Sequence, residues 1–96
     1  MIIVTLTYKK SWVEVDKILD EHLKFLDVYY AQKTFLASGR RAHREGGIIL
    51  VLSSSIEDVK RIMENDPFYI HDVADYSFTG FEVSKHLTGE LDALEW

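Results

Sequence analysis

Two residues of this chain stand where their types demand a partner. His22 falls among Ile18, Leu19 and Leu26 on one stripe of a segment with helical period, so its polar ring must find hydrogen-bond partners in an apolar setting. A core histidine satisfied by a backbone group is the plain account. A general acid or base is the functional one, because imidazole is the side chain whose proton exchanges near neutral pH. Asp66 precedes Pro67, and aspartate there is a good N-cap for a short helix. Capping and catalysis are compatible, since a carboxylate has two oxygens and can accept from a helix amide and an imidazole together. Such a pair would fix the tautomer of His22 and stabilise its protonated form.

The stretch Arg40, Arg41, Ala42, His43, Arg44 concentrates positive charge in a chain whose net charge is −5. Folded over a pocket it would draw an anionic substrate, with Arg40 and Arg41 as binding residues. A solvated hairpin loop, with Glu45 following at once, is the simpler account. Ser38 offers a hydroxyl to a ligand or serves as turn chemistry. Tyr29, Tyr30, Phe68, Tyr69, Tyr76 and Phe78 either line an aromatic pocket, with Phe68 beside the substrate, or make core and dimer contacts. None of the histidines at 22, 43, 71 and 86 has i, i+4 spacing, so no metal is expected. Gly46-Gly47 lacks the following helix that a phosphate-cradling loop needs, and no organic cofactor is implied.

The elements that must position these groups follow from periodicity. Ile2, Val4, Leu6 and Tyr8 alternate with Ile3, Thr5 and Thr7 as in a strand. From Ser11, a plausible N-cap, Val15, Ile18, Leu19, His22, Leu26 and Tyr29 recur three or four apart, predicting a long amphipathic helix. A short strand over residues 34–37, ended by Ser38-Gly39, is expected to form a hairpin with the strongest strand, residues 48–52, across the basic loop. Ser53 to Ser55 lead into a second helix through Ile56, Val59, Ile62 and Met63, ending near Asn65, and a short helical segment over 67–73 follows Asp66-Pro67. In the last strand Tyr76 and Phe78 have one parity and Phe81 and Val83 the other, which predicts a bulge near Gly80.

This order is the split β-α-β pattern (βαββαβ) of ferredoxin-like α+β folds, with helices on one sheet face. The all-apolar run at 48–52 needs cover on both faces, which a two-fold dimer packing its bare sheets together would provide. A chain of 96 residues buries a modest core, so a homodimer, or a higher oligomer, is expected. Residues 1–86 read as one domain and residues 87–96, with Leu91, Leu94 and Trp96, as a tail docking on the body or the partner. Sixteen acidic against eleven basic residues disfavour nucleic acid as a partner. No apolar run approaches a membrane span, the N-terminus carries no leader, and the absence of cysteine suits a reducing, cytoplasmic compartment.

His22 on the first helix, Ser38-Gly39, Gly46-Gly47 before residues 48–52, a Ser-Ser-x-Glu-Asp turn and Asp66-Pro67-Phe68 together resemble the YciI-like (YCII-related) family over nearly the whole chain. The resemblance implies a dimeric ferredoxin-like α+β barrel and a His-Asp dyad, carried here by His22 and Asp66. Members with assigned chemistry act on small aromatic-ring or related substrates through proton transfer and elimination, so a lyase or isomerase type is implied. Where the family commonly continues Gly-Pro, this chain has Gly39-Arg40-Arg41, which alters the pocket rim. The expected function is thus a small-molecule enzyme whose His-Asp dyad transfers a proton on a small anionic aromatic or enol-type substrate. A non-catalytic ligand-binding or regulatory dimer is the alternative, and an oxygen-using enzyme of the same architecture a weaker third.

Overall fold

Alternation along the first strand, β1 (Ile2–Tyr8), sets the architecture: Ile2, Val4 and Leu6 are buried, while Ile3 and Thr5 on the other face are half-buried. The buried parity packs in one cluster with residues of all three helices, Val15, Phe25 and Leu26 of α1 (Trp12–Ala31), Val59 and Met63 of α2 (Ile56–Met63) and Phe68 of α3 (Pro67–Ile70). The helices therefore cover one sheet face. The computed structural model describes residues 1–87 and Gly89. The expected docking of the tail, including Leu91, Leu94 and Trp96, falls outside the described residues.

The sheet order is β2 (Phe35–Arg40), β3 (Gly46–Val51), β1, β4 (Ala74–Gly80), with every neighbouring pair antiparallel. The result is a small α+β fold of one four-stranded antiparallel sheet and three helices, with β1 and β3 central. Serine caps fall where the sequence predicts: Ser11 accepts from the Glu14 amide and Ser55 from the Asp58 amide, each satisfying an orphan donor of a first turn.

Two expectations need correction. β2 runs through Ser38 and Gly39 to Arg40, because pairing of these residues with Ile49, Ile48 and Gly47 outweighs their turn propensity. β4 pairs with β1 in unbroken register from Ala74 to Gly80, so no bulge interrupts it. The parity change toward Phe81 is resolved by the strand ending, and the irregularity of the sheet lies between Phe35 and Ala37 in β2. Within one chain the run at 48–52 is covered on the helix side only, as its sequence implies, since Ile48 and Leu50 stay half-buried.

Candidate active site

Asp66 is brought to His22 by its place as the N-cap of α3. Pro67 fixes the first helical turn, and the Asp66 carboxylate accepts the Phe68 amide through Oδ1 at 3.0 Å. The same oxygen lies 2.7 Å from Nδ1 of His22, which projects from the buried stripe of α1. Oδ2 accepts the Tyr76 hydroxyl at 2.6 Å. Asp66 is 0% exposed, and these three donors are the complement an ionised carboxylate takes. A carboxylate only accepts, so a hydrogen bond across this contact requires a proton on Nδ1, which in a neutral ring leaves Nε2 with its lone pair.

The free nitrogen has an outlet. Nε2 makes no protein hydrogen bond, yet among the described residues no buried side-chain nitrogen or oxygen lacks a partner, so Nε2 is accessible. The accessible surface that His22 lines is a cavity of about 330 Å³. Its walls are mostly apolar, with Leu6, Val15, Leu19, Leu26 and Ile49 among them. The imidazole is held flat by Phe68, whose ring stacks on it at 4.0 Å and 6°, and Tyr8 packs edge-on against Phe68 at 5.8 Å. Together with the Asp66 bond this stacking leaves the imidazole little freedom to turn.

The other singled-out residues divide. Ser38, Arg40 and Phe68 line the cavity with His22. Ser38 Oγ accepts the Tyr30 hydroxyl at 2.7 Å, which leaves its own O–H free to donate. Arg40 has no ion-pair partner among the described residues. Arg41 is a correction: it does not line the cavity, and its guanidinium ties the loop to β1 through the Leu6 carbonyl at 3.3 Å and Thr7 Oγ1 at 2.8 Å, with Glu45 alongside at 3.3 Å. Arg44 takes its place on the rim, held by Asp16 at 2.8 Å and lying 4.8 Å over the Trp12 ring. The turn between them is conformationally unusual, with His43 and Arg44 both at positive φ. Gly46 closes the loop against β1 so tightly that a Cβ there would meet the Leu6 carbonyl oxygen at 1.8 Å.

Burial raises the Tyr8 phenol above its ordinary range, while the charges of Arg44 and Arg40 pull it back, so the cationic rim is felt inside the site. Burial also pushes Tyr76 well above its ordinary range, and the Asp66 charge and hydrogen bond act in the same direction. The sequence offers Tyr76 only as one of several aromatics that line a pocket or make core or dimer contacts. The signal that could have singled it out is the hydroxyl, which a buried tyrosine must pair. Among the described residues no cluster of three His, Asp or Glu side chains is placed to hold a metal, and no helix is long and apolar enough to cross a membrane.

The comparisons agree with this fold. The family described as the YCII-related domain matches residues 1–82. Among solved structures, 5-chloro-2-hydroxyhydroquinone dehydrochlorinase (TftG) from Burkholderia phenoliruptrix AC1100, in complex with 2,5-dihydroxybenzoquinone, is similar with a TM-score of 0.65. The match covers 85% of this chain and 94% of that chain at 17% identity, a likeness of fold. No curated protein matches the chain.

Proposed function

The chain belongs to the YCII-related family, and from that premise we propose that it is a small-molecule enzyme of lyase or isomerase type. The observation that carries the reading is the 2.7 Å His22–Asp66 contact beneath a cavity to which Nε2 is open. In this reading Nε2 removes a proton from a bound small molecule and returns it to another atom of that molecule or to its leaving group. Asp66 holds the neutral tautomer beforehand and balances the imidazolium charge afterwards. The apolar walls suit a single-ring or enol-type substrate, and a volume of about 330 Å³ is in keeping with a small ligand. Arg40, with its charge free, receives an anionic group at the rim, assisted by the Ser38 hydroxyl. The structural neighbour is named for a dehydrochlorination of a hydroquinone, an elimination of the same broad class.

The working unit in this proposal is a cytoplasmic homodimer. Ile3 pairs with Leu50 and Thr5 with Ile48, so all four share the sheet face opposite the helices, and all are half-buried. Two such faces packed together would remove this apolar surface from water.

The test is a panel of small hydroxylated and halogenated aromatic acids and hydroquinones in deuterated buffer. Deuterium uptake is read by NMR and halide release by ion chromatography. The proposal expects turnover of at least one compound by the unmodified chain and none by His22→Ala. Saturable binding with no chemical change across the panel would move the reading to a ligand-binding module.

A further inference from the structure

The cap role of Asp66 requires one acceptor and the dyad requires one more, and Oδ1 serves both. Oδ2 is then a spare, charged oxygen at a fully buried position, where leaving it without a donor is costly. Tyr76 supplies the donor from the opposite side of the site. It sits on β4 across from Leu6 of β1, on the sheet face that packs against the helices. Its ring packs edge-on against Tyr69 at 5.8 Å, which steadies the hydroxyl on Oδ2.

Resting on the dyad reading above, we propose that Tyr76 is a positioning residue for His22, acting through Asp66. By holding Oδ2, the hydroxyl withdraws part of the carboxylate charge, so the Nδ1 proton stays on the imidazole when Nε2 takes up a proton from the cavity. No atom of Tyr76 meets the substrate in this account. Its ring lines a separate cavity with Lys9, Lys60 and Phe78.

The sign of one measurable shift separates this role from simple space filling. The titratable and charged groups facing the dyad are Tyr8 from β1, Asp16 from α1, Arg40 from β2, Arg44 from the turn, Tyr69 from α3 and Tyr76 from β4. All but Tyr76 are unchanged in the variants compared, so their contributions cancel. Removing the hydroxyl returns charge to Asp66, which attracts the imidazolium more strongly. Removing the charge, as in Asp66→Asn, has the opposite effect.

The experiment is a proton NMR titration of the His22 ring in the unmodified chain, Tyr76→Phe and Asp66→Asn, with His22→Ala used for assignment. The expected result is a midpoint about half to one pH unit higher in Tyr76→Phe and lower in Asp66→Asn. A midpoint in Tyr76→Phe that falls or does not move overturns the positioning role while leaving the dyad standing. A midpoint in Asp66→Asn that does not fall removes the dyad itself, and the role of Tyr76 with it. Should Tyr76→Phe fail to fold, the chain grown with ring-fluorinated tyrosine reads the same effect, because a more acidic phenol donates more strongly. Tyr8 makes no hydrogen bond to either member of the dyad, so the midpoint should then fall through Tyr76. A rise or no movement in that protein overturns the proposal.

Discussion

Replacing Asp66 should destabilise the fold by an amount set by what the new side chain can still accept. In Asp66→Ala the Phe68 amide loses its cap, at about 1 kcal/mol. His22 Nδ1–H and the Tyr76 hydroxyl also lose their acceptor in a place where Asp66 itself is 0% exposed. At roughly 1 to 2 kcal/mol for each stranded donor, the sum is about 3 to 5 kcal/mol, a large share of the ~5 to 15 kcal/mol that holds a domain together. Asp66→Asn behaves differently. Its amide oxygen still accepts from the Phe68 and His22 donors, and the Tyr76 hydroxyl can turn to accept from the amide nitrogen. The loss then is the charge, about 1 kcal/mol. Thermal unfolding followed by circular dichroism separates the two, because 1 kcal/mol moves the midpoint of a domain this size by about 4 to 8 °C. The expected drop is about 4 to 8 °C for asparagine and more than about 12 °C for alanine. Equal drops for the two variants, or an alanine variant within about 4 °C of the unmodified chain, would refute the claim that three donors converge on this carboxylate.

Other consequences follow from the same geometry. The raised Tyr76 phenol keeps its proton in the folded state above pH 10, where the unfolded chain has lost it. Stability from this group is therefore complete below about pH 10 and falls above it, by up to about 1.4 kcal/mol per pH unit; urea unfolding from pH 9 to 11.5 should show a shallower fall in Tyr76→Phe. Arg40→Ala should weaken binding of a small aromatic carboxylate about five- to tenfold, in a salt-dependent way, as measured by calorimetry. Arg41→Ala should leave that affinity unchanged and lower the melting temperature, since its bonds go to Leu6, Thr7 and Glu45. Leu50→Glu places a charge on the sheet face opposite the helices and should leave the chain monomeric in light scattering after size exclusion, where the unmodified chain is expected to run as the proposed dimer. A Leu50→Glu chain that stays dimeric would move the interface elsewhere.

The proximity of His22 and Asp66 is more legible in the sequence than the cavity rim is. His22 on an apolar stripe and Asp66 before Pro67 are each local patterns, and the fold brings them together because α1 packs on α3. The β1 alternation and the Ser11 and Ser55 caps are local in the same sense. The basic turn is not legible in the same way, because His43 and Arg44 take positive φ there against the preference of non-glycine residues. Ser38-Gly39 reads as a stop, yet β2 continues through it because β3 offers partners on that side. Tyr76 is a similar case: its hydroxyl matters through Asp66, ten residues earlier in the chain and on another element. No local pattern encodes that meeting.

In the proposed dyad, His22 presents an unprotonated Nε2 to the cavity because Asp66 holds the proton on Nδ1. Nitrogen-15 NMR of the His22 ring in its neutral form reads this directly. The expected result is a proton on Nδ1, a bare Nε2, and movement of the Nε2 resonance when a small aromatic acid fills the cavity. A neutral ring with its proton on Nε2, or an Nε2 resonance indifferent to every cavity ligand, would contradict it.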